Sequence, residues 1–384
     1  VTVLETARAL GEQFAAGAPE RDRTRTLPRA EMDALSASGL LGITVPARFG
    51  GVEASVSDLA EVFLALAEGD PSVAQIPQSH FTFLEALRLQ GTAEQQAFWF
   101  SEALAGKRFA NAQSERATPG IDIDLTTLSD SVLSGVKFYC TGALLADWLV
   151  VRAVVGDVEA RPQNKVIVFV RADAPGVTIE DDWDGFGQRT TASGTVRLDN
   201  VSVESSAVVS FSPIFTVPTT YGARAQLLHA AIDAGIGRAA VRVAREALAK
   251  ARPHFEAGVA DAADDPLLIQ QFGDVEVGVR AAYALVRDAA RSIDAAEADL
   301  TDAATAEASI ATAAAKVASV RAALDAAAAL FDAGGTRAAA ASLGLDRLWR
   351  DARTHTLHDP VRWKVQHIGR YALSGTRPPR HGLI

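Results

Sequence analysis

Between about Phe109 and Pro213 the chain loses the helical spacing of apolar residues that it shows on either side. That switch limits it to folds that insert a β module between two helical regions. Ser131–Tyr139, Trp148–Val155, Lys165–Val170 and Gly194–Leu198 are rich in β-branched and aromatic residues, and Gly, Asp, Asn and Pro separate them. This composition suits strands joined by turns. Before the module, Glu31–Leu35 leads to a helix stop at Gly39, and Ser57-Asp58 reads as a helix start followed by an apolar face at Val62, Leu66 and Ala67. Gly50-Gly51 and Asp70-Pro71 mark connections.

After the module, Leu228, Ile232, Ile236, Ala239 and Val243 form one stripe at spacings of three and four. Pro266 follows an acidic loop, Asp261–Asp265. Helices are predicted over about 266–296, 305–333 and 338–354. Their many alanines cannot fill a core unaided, so these helices must pack closely with one another or with other subunits. The predicted fold class is α+β, with a helical domain over 1–108, a β-barrel or sandwich domain over 109–213 and a helical bundle with an oligomerisation surface over 214–384.

Charge narrows the function. With 37 basic and 47 acidic residues the 384-residue chain carries −10, a sign that repels a phosphate backbone and argues against a nucleic-acid binder. The least charged long segment, Ala303–Leu330, is interrupted by Glu307, Lys316, Arg321 and Asp325, so no membrane span is expected. No basic start followed by an apolar run is present at Val1, and one cysteine, Cys140, excludes a disulfide framework and a multi-cysteine zinc site. A cytoplasmic location is expected.

The helical–β–helical order, together with local motifs, resembles the acyl-CoA dehydrogenase fold. Val45-Pro46-Ala47-Arg48-Phe49-Gly50-Gly51 is similar to the family's Pro-x-x-Tyr-Gly-Gly turn, Gly69-Asp70-Pro71-Ser72 to its helix-end motif, and Asp332-Ala333-Gly334-Gly335 to its Gly-Gly cofactor turn. One departure is more informative. Where the family's dehydrogenases have a Tyr-Glu-Gly-Thr core and draw a glutamate base from the bundle, this chain has Arg353-Thr354-His355-Thr356-Leu357-His358-Asp359-Pro360. That run, with Trp349–Ala352 before it and Trp363-Lys364 after it, resembles the flavin-dependent monooxygenase branch. The branch includes dibenzothiophene monooxygenases and sulfur-acquisition oxidoreductases.

The residues themselves allow several chemistries. His355 and His358, three apart, point to one side of a helical turn, where a neutral imidazole can donate to oxygen, and Asp359 can orient one ring. Capping histidines and a His-x-x-His-Asp metal site are the alternatives; no metal is expected. The resemblance implies a catalytic role for His355, His358 and Asp359, with His80 on the substrate side. It places Asn111, Thr141, Trp183 and Ser193 around the flavin, Thr141 beside its N5. Gly334 and Gly335 form the cofactor turn, and Arg252 and Phe255 reach a neighbouring subunit's cofactor. Composition alone would equally allow Trp183 in a surface hairpin, Arg252 exposed at a helix end and His80 as a helix histidine without a catalytic task. Cys140 reads as a buried packing residue.

The expected function is a two-component monooxygenase. A separate reductase supplies reduced FMN, and O2 delivers one oxygen atom to a small substrate, sulfur compounds being one class. No Gly-x-Gly-x-x-Gly follows a strand, which favours dependence on that reductase. The alternatives are an FAD-dependent acyl-CoA dehydrogenase and a flavin-binding protein without its own chemistry. A homotetramer, or at least a dimer, is expected.

Overall fold

The computed structural model describes residues 2–116 and 118–384. Six helices come first: α1 (Val3–Thr24), α2 (Arg29–Ala37), α3 (Val56–Gly69), α4 (Pro71–Gln75), α5 (Gln78–Gln90) and α6 (Ala93–Leu104). The helix expected from Ser57 begins slightly earlier, because the Ser55 hydroxyl accepts from Asp58 N while the Asp58 carboxylate accepts from Ser55 N. Asp70 caps α4, accepting from Ser72 N at 2.9 Å, with Pro71 in the first turn where a missing N–H costs nothing. The same carboxylate takes the Arg21 guanidinium at 2.8 Å, which fastens α4 to α1.

The middle of the chain forms one eight-stranded sheet. Its strands are β1 (Phe109–Ala112), β2 (Thr127–Ser129), β3 (Val132–Lys137), β4 (Trp148–Val154), β5 (Lys165–Arg171), β6 (Val177–Ile179), β7 (Val196–Ser202) and β8 (Val208–Ser210). They run in the order β6-β7-β3-β2-β4-β5-β8, with β1 parallel to β4. The four expected runs became β3, β4, β5 and β7. The other four strands have only three or four residues each, too few for alternation to show. Leu149, Val151 and Ala153 face the sheet's own core with Val166, Val168 and Val170. Val150, Ile167 and Phe169 face the helices, where Phe169 stacks on Trp99 of α6 at 4.3 Å. Burial on both faces explains why these runs read as continuous apolar stretches.

Five helices close the chain: α7 (Tyr221–Leu248), α8 (Pro266–Ala298), α9 (Asp302–Gly334), α10 (Asp346–His355) and α11 (Val361–Ser374). Helix α9 lies along both α7 and α8, and α3 packs against the same pair. Alanine makes this close approach possible, since it brings little volume between the backbones. The last expected helix is shorter than predicted: residues 335–343 form two tight 3-10 turns, and α10 starts at Asp346. Helix α11 went unanticipated because only Lys364 on it is buried, so it carries no apolar stripe within one protomer. Among the described residues no helix is long and apolar enough to cross a membrane.

Candidate active site

Helix α10 ends at His355, and the turn after it carries His358. Both imidazoles meet α7, where His229 and Asp233 stand one turn apart on the inward side. His355 Nδ1–H donates to Asp233 Oδ1 at 2.5 Å, and Lys316 Nζ, from the middle of α9, donates to Asp233 Oδ2 at 2.5 Å. The side chains of His355, Asp233 and Lys316 are wholly buried. Once Asp233 holds the Nδ1 proton, a neutral His355 presents a lone pair at Nε2. His229 Nδ1 lies 3.1 Å from that atom and the end of the Gln75 amide 2.9 Å, so a His229 N–H, or the Gln75 amide turned by half a rotation, donates to it. The His358 ring lies against His229 with centroids 4.1 Å apart.

Burial decides the charges. It pushes His358 down to about 4, helped by the Lys316 ammonium and by the cost of a second charge beside His355, and holds His229 well below its ordinary value and His355 below its own. Burial also opposes ionisation of Asp233, but Lys316 and His355 outweigh it and hold that carboxyl low. The cluster is therefore an anion clasped by an ammonium, flanked by neutral imidazoles.

A stability consequence follows from the sign of these shifts. His229, His355, His358 and His80, the last also pushed to about 4 by burial, stay neutral in the folded chain while the unfolded chain protonates below about 6.5. The unfolded state then binds more protons, so their contribution is intact above 6.5 and is lost as pH falls toward 4. Each of His80 and His358 is worth on the order of 3 kcal/mol across that window. Asp351, raised to about 7 chiefly by burial, acts in the opposite direction with a similar magnitude and offsets one of the four. Melting temperature is expected to drop steeply between pH 6.5 and 4.5, as read by scanning calorimetry. A flat profile would mean that these imidazoles are solvated.

A second constellation lies on the β-domain side of α10, where Asp351 accepts from Gln188 N. Thr141 and Ser193 share a hydroxyl hydrogen bond of 2.8 Å, and Ser193 meets Thr191 at 2.7 Å. Thr191 donates to Gln188 O at 3.0 Å, and the Trp183 indole N–H donates to the same oxygen at 2.9 Å. Trp183 also meets Tyr139 edge-on at 6.3 Å, and Asn111 of β1 donates to Tyr139 O at 3.4 Å. Asn111, Thr141, Trp183 and Ser193 thus share one side of the β domain. Helix α4 touches both constellations: Pro71 O accepts from the Gln188 amide at 3.4 Å, and Gln75 reaches His355.

Other expected site residues lie elsewhere. His80 is buried with both ring nitrogens engaged by backbone: Nε2–H donates to Leu41 O at 2.9 Å and Nδ1 accepts from Phe109 N at 3.3 Å. It ties the helical domain to β1, and among the described residues no hydrogen bond connects it with the histidine cluster. Asp359 does not orient a histidine ring. It forms a buried ion pair with Lys364, and Asp233 takes the orienting role instead. Arg252 and Phe255 are exposed on the loop between α7 and α8, Phe255 by 85%. Gly334 is buried at the end of α9, and Gly335 follows at φ 60° and ψ −156°, a positive-φ conformation open essentially only to glycine. Cys140 is fully buried, and its thiol is pushed up to about 12 by burial.

Sequence reasoning missed His229, Asp233, Lys316, Gln75, Gln188 and Asp351. A signal existed for three of them. His229 and Asp233 are a polar pair four apart within the apolar stripe of α7, and Lys316 is a lone cation in an alanine-rich run. A buried carboxylate with a buried lysine is the arrangement that satisfies both. Among the described residues no cluster of His, Cys, Asp or Glu is arranged to hold a metal ion.

Models of the acyl-CoA dehydrogenase N-terminal, middle and C-terminal domains match residues 2–107, 97–201 and 227–363. The probable FMNH2-dependent monooxygenase SfnC of Pseudomonas putida is 34% identical over 98% of this chain and 95% of its own length. The dibenzothiophene monooxygenase of Rhodococcus qingshengii is 33% identical over 98% of this chain and 94% of its own. The structure of TdsC from Paenibacillus sp. A11-2, solved with FMN and indole, superposes with a TM-score of 0.93 at 28% identity, covering 100% of this chain and 99% of that one. The chain belongs to the acyl-CoA dehydrogenase family, in its flavin-dependent monooxygenase branch.

Proposed function

We propose that this protein is the oxygenase half of a two-component system that uses reduced FMN and O2 to oxygenate a small, soft substrate such as an organosulfur compound. One observation carries the reading. Two buried neutral imidazoles, His355 held by Asp233 and His358 beyond it, stand in the segment where the family's dehydrogenases place a glutamate base. Such imidazoles can donate to oxygen but offer no strong base for an acyl thioester's α-proton.

The residues fit a flavin. Asn111, Thr141, Thr191 and Ser193 supply an amide and three hydroxyls on one side, and Trp183 and Tyr139 supply aromatic faces. When bound, reduced FMN supplies the electrons that activate O2. Around it, Thr141 and Asn111 would fix the ring edge, Trp183 and Tyr139 would exclude water, and His358, its ring against His229, would present an N–H to the oxygen being transferred. The relatives named for FMNH2 and for dibenzothiophene, and the FMN-bound structure of TdsC, support the cofactor and the substrate class. The test is to supply chemically reduced FMN with a panel of thioethers, thiophenes and sulfinates under 18O2. A product carrying one labelled oxygen is expected. Reduction of bound flavin by an acyl-CoA, without oxygenated product, would favour the dehydrogenase reading.

A separate reductase is the proposed electron source, in line with the lack of a dinucleotide fingerprint, and the one buried reduced cysteine suits a reducing compartment such as the cytoplasm. A homotetramer is proposed because Phe255, Leu267, Val277 and Leu373 are exposed large apolar residues on the C-terminal helices and their loop. Light scattering should give a tetramer, and a monomer that binds FMN fully would overturn this. In such an assembly Arg252 reaches a neighbour's FMN phosphate. Arg252→Ala is then expected to weaken FMN binding by about 1.5–3 kcal/mol, read by fluorescence titration. Unchanged affinity would leave Arg252 a surface residue.

A further inference from the structure

We propose that Asp351 is a positioning residue: through the backbone of Gln188 it fixes the loop carrying Trp183, Thr191 and Ser193 to the helix that ends in His355. This rests on the reading that the loop faces the flavin. Asp351 is 1% exposed, and its Oδ1 accepts from Gln188 N at 2.6 Å. The other end of the same residue, Gln188 O, accepts from the Trp183 indole and the Thr191 hydroxyl. The line continues through Ser193 to Thr141. One carboxylate therefore holds the backbone of one residue from its N–H side, and the carbonyl of that residue holds an indole and the first of three linked hydroxyls.

The loop needs such a hold. Gln188 has φ 46°, a left-handed conformation that is strained for a residue with a side chain and persists only where its surroundings impose it. Gly187 approaches α10 so closely that a Cβ there would overlap the Arg350 carbonyl oxygen. Arg350 itself donates to Phe186 O at 3.0 Å and to Asp22 of α1. Asp351 and His355 are four residues apart on α10, so they share one face. Any shift of that helix moves the flavin-side hydroxyls and the histidine cluster together. Arg347 lies 3.5 Å from Asp351, while Asp22 and Asp70 add negative potential. Ionised or neutral, the side chain keeps an oxygen that accepts from Gln188 N.

Asp351→Ala and Asp351→Asn separate positioning from bulk stability, since asparagine retains an accepting oxygen. In the flavin-free protein, amide exchange of peptides spanning residues 183–193 is expected to quicken about tenfold or more in the alanine variant, the size of one lost hydrogen bond to a charged group. Asparagine should restore protection. With FMN present, the alanine variant should bind it more weakly. It should also convert a smaller share of reduced FMN into product and a larger share into hydrogen peroxide, again rescued by asparagine. If wild type binds no FMN, the flavin reading fails while the exchange data still decide whether Asp351 holds the loop. Wild-type exchange in the alanine variant, or an asparagine variant as impaired as alanine, would overturn the proposal. If Asp351→Ala does not fold, Gly187→Val tests the same contact from the loop side with Asp351 untouched. Normal protection of the loop in that variant would equally overturn it.

Discussion

Asp233→Asn is expected to cost about 3–5 kcal/mol of stability, the penalty for leaving a buried charge without its partner. Lys316 has no exposure, and Asp233 is the only group with which it forms an ion pair among the described residues. The amide cannot neutralise it. The same change releases His355, whose Nδ1 proton Asp233 holds, so the Nε2 lone pair facing His229 and Gln75 is no longer defined. Product formation should fall more than stability alone explains. Adding Lys316→Met to Asp233→Asn should recover much of the stability, because no isolated ammonium then remains, but should not recover oxygen transfer. Urea denaturation and product yield, measured on the same preparations, separate the two effects. Full stability in the single variant would show that water reaches Lys316. Full activity in the double variant would show that His355 needs no orienting carboxylate.

His358→Ala is expected to lower oxygen transfer by about 10²–10⁴-fold, the range for a positioned acid–base group, while FMN affinity changes little. The ring sits against His229 and is neutral down to about pH 4, so at working pH it carries a proton it can share without a charge to bury. None of the hydroxyls assigned to the flavin touches it. The variant should therefore keep its flavin, consume reduced FMN at a similar rate and release more hydrogen peroxide per FMN oxidised. Stopped-flow oxidation and peroxide yield, with a substrate found among the sulfur compounds, provide the comparison. Normal product yield would leave His358 as a packing residue beyond the end of α10.

The legible part of this protein was local. The strand runs that became β3, β4, β5 and β7, the breaks at Gly39, Asp70-Pro71 and Pro266, and the stripe of α7 are all written in neighbours a few residues apart. The motif at His355–His358 was legible for the same reason: both residues lie on one short run, and the fold keeps them on one side. Asp359 was misassigned by that reasoning. Adjacent in sequence, it looked like the carboxylate for the histidines, yet Lys364 on α11 captures it. His80 had a helix position but no visible partners, since Leu41 and Phe109 reach it from other elements.

Hydrophobic period, capping side chains and proline geometry act over one or two turns of chain, so the order of helical and β regions, the short capped elements and the His-x-x-His run could be read from neighbouring residues. Tertiary structure alone decided which carboxylate serves which histidine. His355 and Asp233 are 122 residues apart, Lys316 and Asp233 83, and Gln188 and Asp351 163. No local pattern records such distances. They are set when α9 and α10 close on α7 and the loop of residues 183–193 is trapped against them. At that point each buried polar group must find a partner or make the packing too costly to form.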